Sequence, residues 1–92
     1  MQIATTRTFD RLFNSLDKKI QRKAAKKTEI FKQNPFNPIL RTEKLHLKTH
    51  EVWSFRIDLD YRIVFKFVEK NLAEFRFIGH HNKIYDYPIF LD

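Results

Sequence analysis

Apolar and polar positions alternate with a period of two through the C-terminal half of the chain, in VWSFRIDLDYRIVFKF and again in FRFIGHHNKIYDY. Such alternation predicts half-buried strands over residues 52–58, 61–68 and 72–79. Trp53, Phe55 and Ile57 must share a face with Tyr61, Ile63, Phe65 and Phe67, because residues paired across a hairpin point the same way. A loop of odd length, Asp58-Leu59-Asp60, meets that condition. The next loop, Glu69-Lys70-Asn71, would pair Phe65 with Phe75, Ile63 with Phe77 and Lys66 with Glu74. The opposite face then carries Ser54, Arg56 and Asp58, next Arg62, Val64 and Lys66, and finally Glu74, Arg76 and Ile78. By this parity His80 continues the polar face and His81 points toward the core. Gly79 permits a break that could turn either histidine outward.

Toward the N-terminus the period changes. Residues 2–6 read as a short strand. Phe9, Leu12, Phe13, Leu16, Ile20, Ala24 and Phe31 recur at helical spacing and mark one buried stripe. Thr8 is placed to cap a first helix and Asp17 a second. Six cations, Lys18, Lys19, Arg22, Lys23, Lys26 and Lys27, cover about half the helix circumference away from that stripe. Asn34-Pro35-Phe36-Asn37-Pro38 stops the helix, since proline cannot continue it and restricts its predecessor. Residues 39–49 form a connection, part of it a candidate strand. Strand, helices and an antiparallel meander predict one α+β two-layer domain over residues 1–92, with the helices packed on the aromatic face.

Composition narrows the partners. The net charge is +7 over 92 residues, which points to RNA, DNA, an anionic membrane or an acidic protein. Ten Phe, three Tyr and one Trp compensate for a short chain that buries only roughly 60–65% of its unfolded surface. With no cysteine, disulfide and thiolate chemistry are excluded. No apolar run approaches the ~20 residues of a membrane span, and MQIATTRTF lacks the apolar core of a secretory signal. A cytoplasmic location and no membrane partner are therefore expected.

A sheet face bearing arginines and ending in two histidines and a tyrosine suits phosphodiester chemistry. Arginine offers a planar, permanently charged fork to phosphate. Histidine can move a proton near neutral pH. With RNA the 2′-hydroxyl can attack, given a base such as Glu43, Glu51 or His50, and no metal is needed. Blander roles compete. Arg56 and Arg62 can pair with Asp58, Asp60 or Glu74, and Trp53 can belong to the core or its rim. The His80-His81 pair hints at a metal, but no matching ligands lie at the usual sequence spacing, so neither metal nor cofactor is expected.

These residues resemble the RelE/ParE superfamily of toxin–antitoxin toxins over nearly the whole chain: a short first strand, a basic helical hairpin, an NP stop, then KL, WSFRI, DYRIVF and GHHNKIY. WSFRIDLDYRIVF looks most like the YoeB branch, and the terminal His-x-x-x-aromatic pattern looks more like the YafQ branch. The resemblance implies a toxin that binds in the A site of the 70S ribosome and cleaves mRNA without metal through the 2′-hydroxyl. A cognate acidic antitoxin would neutralise it. It further implies that Arg62 is the phosphate-stabilising arginine and that Glu43 sits at the base position, with His46 or His50 as alternatives. His80 is the proton donor on an ungapped count from Arg62, and His81 is the donor when Gly79 and Tyr85 are the anchors. Tyr85 would stack or assist proton transfer. Arg56, with Ser54 and Lys66, would contact substrate, and Lys18, Lys19, Arg22, Lys23, Lys26 and Lys27 would contact rRNA. Ser54 stands where RelE-like members carry lysine. The same superfamily contains ParE-type toxins that poison gyrase without nuclease activity, which is the alternative reading, and a member that only binds an antitoxin is a third.

Overall fold

A computed structural model describes residues 1–46 and 51–84. Its elements are β1 (Gln2–Thr5), α1 (Arg7–Asn14), α2 (Lys18–Gln33), a 3₁₀ turn (Pro38–Leu40), β2 (Glu43–His46), β3 (Glu51–Arg56), β4 (Tyr61–Glu69), β5 (Leu72–His80) and α3 (His81–Ile84). The strands form one sheet in the order β1-β5-β4-β3-β2. β1 runs parallel to β5, and the other pairs are antiparallel. This is the predicted α+β arrangement, with β1 and β2 flanking the meander. No helix among the described residues is long and apolar enough to cross a membrane.

The helix ends follow local chemistry. Thr6, not Thr8, caps α1: it is extended at φ −92° and ψ 164°, and its hydroxyl accepts the Phe9 amide at 3.1 Å. β1 ends one residue earlier, so the cap falls at the strand–helix junction. Asp17 does occupy the cap position of α2, but its side chain makes no capping bond. Asn34 and Asn37 accept the amides of Phe36 and Ile39, each at 3.0 Å, and so turn the chain beside the two prolines. Arg41 then takes the left-handed conformation, φ 48°. A residue with a Cβ pays for that geometry, and here it redirects the chain from the 3₁₀ turn into β2.

Phe31 of α2 is the centre of the main core. Its ring lies 4.9 Å from Phe55, 4.9 Å from Phe65 and 5.3 Å from Phe75, and is fully buried. Trp53 belongs to the rim, against Phe36 and Phe67. The other sheet face is less uniformly polar than its sequence suggests. Val52, Val64 and Ile84 are buried there with Leu45 and Phe77 beside them, so α3 lays an apolar lid on part of that face.

The first loop behaves as predicted: Trp53 pairs with Phe65, Phe55 with Ile63 and Arg56 with Arg62. Across β4–β5, Phe65 pairs with Phe75 and Lys66 with Glu74, also as predicted. Beyond them the register slips. Val64 faces Phe77 and Ile63 faces Ile78, so Arg76 is an extra residue in β5, a β-bulge. The predicted Ile63–Phe77 pair is thereby corrected. Ile78 enters the main core and Phe77 crosses to the other face. A second irregularity at Val68 lets Glu69 pair with Leu72, tightening the predicted three-residue loop.

Candidate functional site

The bulge takes His80 off the sheet face that carries the arginines. After the slip, Tyr61 pairs with His80 and Arg62 with Gly79. His80 therefore sits on the helix side, its ring 5.5 Å from Tyr61 in edge contact, in a hollow shared with Leu12, Leu16 and Lys83. The expected grouping of His80 with Arg56 and Arg62 is overturned, because one extra residue inverts the alternation. The His81 amide donates to the Asp60 carbonyl at 2.7 Å, which continues the slipped register. His81 thus falls in step with Gly79 and Arg62, although the chain turns into α3 there. The two imidazoles end stacked, centroids 4.8 Å apart.

One tight loop carries both Arg62 and His81. An Arg62 guanidinium nitrogen, Nη1, donates to the carbonyls of Asp58, Leu59 and Tyr61 at 3.3, 3.1 and 3.3 Å. His81 Nδ1 lies 3.3 Å from the carbonyl of Asp60. A carbonyl only accepts, so Nδ1 carries a proton and Nε2 is left to exchange one. His80 has the opposite pattern: its Nδ1 accepts the Asn82 amide at 3.1 Å, which puts the proton of the neutral ring on Nε2.

The loop itself is pinned by Asp58. One carboxylate oxygen accepts the amides of Asp60 and Tyr61 at 2.9 and 2.8 Å, and the other meets Lys23 of α2 at 3.2 Å. Burial favours the neutral acid, but the two amides and then Lys23 outweigh it, holding the Asp58 pKa below 3.8. The Asp58 carboxylate therefore serves the loop, and its contact with Arg62 is through the backbone carbonyl.

The other candidates spread across the same sheet face. Arg56 lies directly opposite Arg62 in the β3–β4 register, so both arginines stand at this end of the sheet. Gly79 on the far side of Arg62 is buried and adds no side chain to crowd the guanidinium. Glu43 pairs with buried Ser54, one row along. From strand spacing and rise, Glu43 and Arg62 are roughly 12 Å apart at the backbone. Lys66 lies four residues along β4 from Arg62, opposite Glu74, and is not gathered into this group. Glu74 is itself bound by Arg76 at 2.9 Å. Glu51 pairs with His46 at the β2–β3 edge, outside the group. His50 and Tyr85 lie outside the described residues, and only the backbone of His46 is described.

The basic face of α2 divides. Lys23, Lys26 and Lys27 join Arg41 and Arg56 around a cleft of ≈ 430 Å³ floored by Ile39, Ile57 and Leu59. Lys18, Lys19 and Arg22 stay exposed on the outer turns. Linear reasoning missed Arg41 because its only local signal is the sequence after Pro38. It also missed Asp60, whose carboxylate meets His80 and His81 only through the β4–β5 pairing.

Residues 8–81 match the model of the YoeB-like toxin of the bacterial type II toxin–antitoxin system. No significant match is found among curated proteins. Among solved structures the fold is similar to the YoeB/ParE toxin from Agrobacterium tumefaciens, at TM-score 0.73 and 20% identity over 88% of this chain and 99% of that one. It is also similar to YafQ from E. coli strain BL21(DE3), at TM-score 0.74 and 14% identity over 91% and 97% of the two chains. A third is the heterotetrameric YoeB–YefM toxin–antitoxin complex from Staphylococcus aureus, at TM-score 0.68 and 22% identity over 88% and 97%. With most of its length matched by the family model, this chain belongs to the YoeB-like toxins of bacterial type II toxin–antitoxin systems.

Proposed function

We propose that this toxin is a ribosome-dependent endoribonuclease that cuts mRNA in the A site and is neutralised by an acidic antitoxin. The observation that carries the reading is the single loop that holds Arg62 and His81 on its carbonyls beside Arg56. In the reaction, Glu43 takes the proton from a ribose 2′-hydroxyl, with His46 or His50 as the alternative bases. The 2′-oxygen bonds to phosphorus, and the bond from phosphorus to the 5′-oxygen breaks. Arg62 and Arg56 meet the charge that develops on the phosphoryl oxygens. His81 gives its Nε2 proton to the leaving 5′-oxygen. The products are a cyclic phosphate and a 5′-hydroxyl, so atoms and protons balance. Ser54, expected to touch substrate, is buried beside Val64 and is left out of the contacts, and Tyr85 completes them. The exposed cations of α2 face rRNA, and the +7 charge supports an acidic antitoxin as partner.

The test is mRNA end-mapping on programmed ribosomes. The parent is expected to cut, and Arg62→Ala and His81→Ala each to lose about 100-fold or more. His80→Ala should lose clearly less than His81→Ala. Intact mRNA with the parent, or inhibited gyrase supercoiling with translation untouched, would sink the proposal.

A further inference from the structure

Asp60, His80 and His81 bring three potential ligand atoms within 4.8 Å of one another. The three come from two separate parts of the fold. Asp60 stands on the β3–β4 loop, and the histidines stand at the β5–α3 junction. The His81 amide bond to the Asp60 carbonyl, 2.7 Å, locks these segments together. Two imidazoles stacked at 4.8 Å beside a carboxylate are a nitrogen-rich set with one oxygen. Neutral imidazole nitrogen suits zinc and similar borderline divalent ions, whereas calcium and magnesium prefer all-oxygen sets.

We propose that Asp60, His80 and His81 form a binding site for zinc or another borderline divalent cation, and that the ion switches the toxin off. His81 is prepared for the ion. Its Nδ1–H is held by a backbone carbonyl, the outer contact that orients a ligating histidine and leaves Nε2 to the metal. His80 must give up the Asn82 amide at 3.1 Å, since either ring nitrogen can bind only once that contact ends. A hydrogen bond of that kind contributes only about 1 kcal/mol, far less than metal coordination returns. Ligands about a tetrahedral zinc are separated by roughly 3.4 Å, so the three atoms draw in slightly. Asp60 is exposed and can swing to do so. The ion would take the Nε2 lone pair through which His81 exchanges its proton. It therefore acts as an inhibitor and not as a cofactor. This last step rests on the proposed nuclease reaction, whereas binding does not.

The experiment uses the untagged full chain. Cobalt(II) chloride is titrated while visible absorption is followed, and zinc chloride is titrated by calorimetry and by thermal melting. The parent and a His46→Gln/His50→Gln variant are expected to bind one ion per chain and to melt higher with zinc. His80→Gln and His81→Gln, folded by circular dichroism, should lose binding and the shift in melting. Asp60→Asn should bind more weakly. No binding by the parent, or binding kept in the His80→Gln and His81→Gln chains, would overturn the site. In the cleavage assay zinc should suppress cutting by the parent, and a chelator should restore it. Zinc bound without suppression would overturn the switch. Zinc bound by a parent that never cleaves would leave the site standing and remove the nuclease reading.

Discussion

Asp58 is the residue on which the candidate site turns. Its carboxylate ties two loop amides and Lys23, and that loop in turn carries Arg62 and His81. From sequence it was a possible partner for Arg56 or Arg62, because both lay within reach along the strands. The turn settled the matter: an aspartate beginning a tight loop finds amides two and three residues on before it finds a distant cation. Replacing it by alanine orphans those amides and should cost about 1–2 kcal/mol in chemical denaturation. Its folded pKa lies below 3.8, so the stability it adds is fully present above that value. That contribution is lost as pH falls through the lowered folded value. Asp58→Ala should therefore differ from the parent at neutral pH, with the difference shrinking in strong acid. Directly opposed like charges, as in the Arg56–Arg62 pair, weaken strand pairing.

Among the elements, β5 departs most from its sequence pattern. Its odd and even positions look equally regular, yet the strand carries an extra residue at Arg76. The Thr6 hydroxyl donates to the Arg76 carbonyl at 3.3 Å while accepting the Phe9 amide, and the Thr6 amide bonds the Phe75 carbonyl at 3.2 Å. One threonine thus caps α1 and clamps the bulge. Thr6→Val keeps the shape and removes both hydroxyl bonds. It is expected to lower stability by about 1–2 kcal/mol, as lost caps do. Amide hydrogen exchange at Arg76 and Phe77 should rise more than at Ala73, also in β5. Equal protection across β5 would show that the bulge does not depend on Thr6.

For the molecule as a whole, the core hangs on one side chain of α2. Phe31 touches the rings of three strands, β3, β4 and β5. Phe31→Ala should cost about 3–5 kcal/mol. That is a large share of the 5–15 kcal/mol typical of a domain, so the variant is expected to melt far below the parent by circular dichroism. Much of this architecture was legible beforehand. Period-two alternation made the strands and the odd first loop necessary, the helical stripe named Phe31 and Ala24, and the cation count called for a polyanionic or acidic partner. These are properties of residues near one another in the chain. The face on which His80 falls and the meeting of Asp60 with the histidines were not legible. Both depend on a bulge whose cost is met by Thr6, some seventy residues away, and by the burial of Ile78 in place of Phe77. The sequence alone determined the first strand, the basic helices, the meander and its aromatic face, but not α3 or the apolar patch that α3 covers. Only the tertiary structure decided the register near the end of β5, because a one-residue slip leaves local preferences almost unchanged while moving every later side chain to the other face.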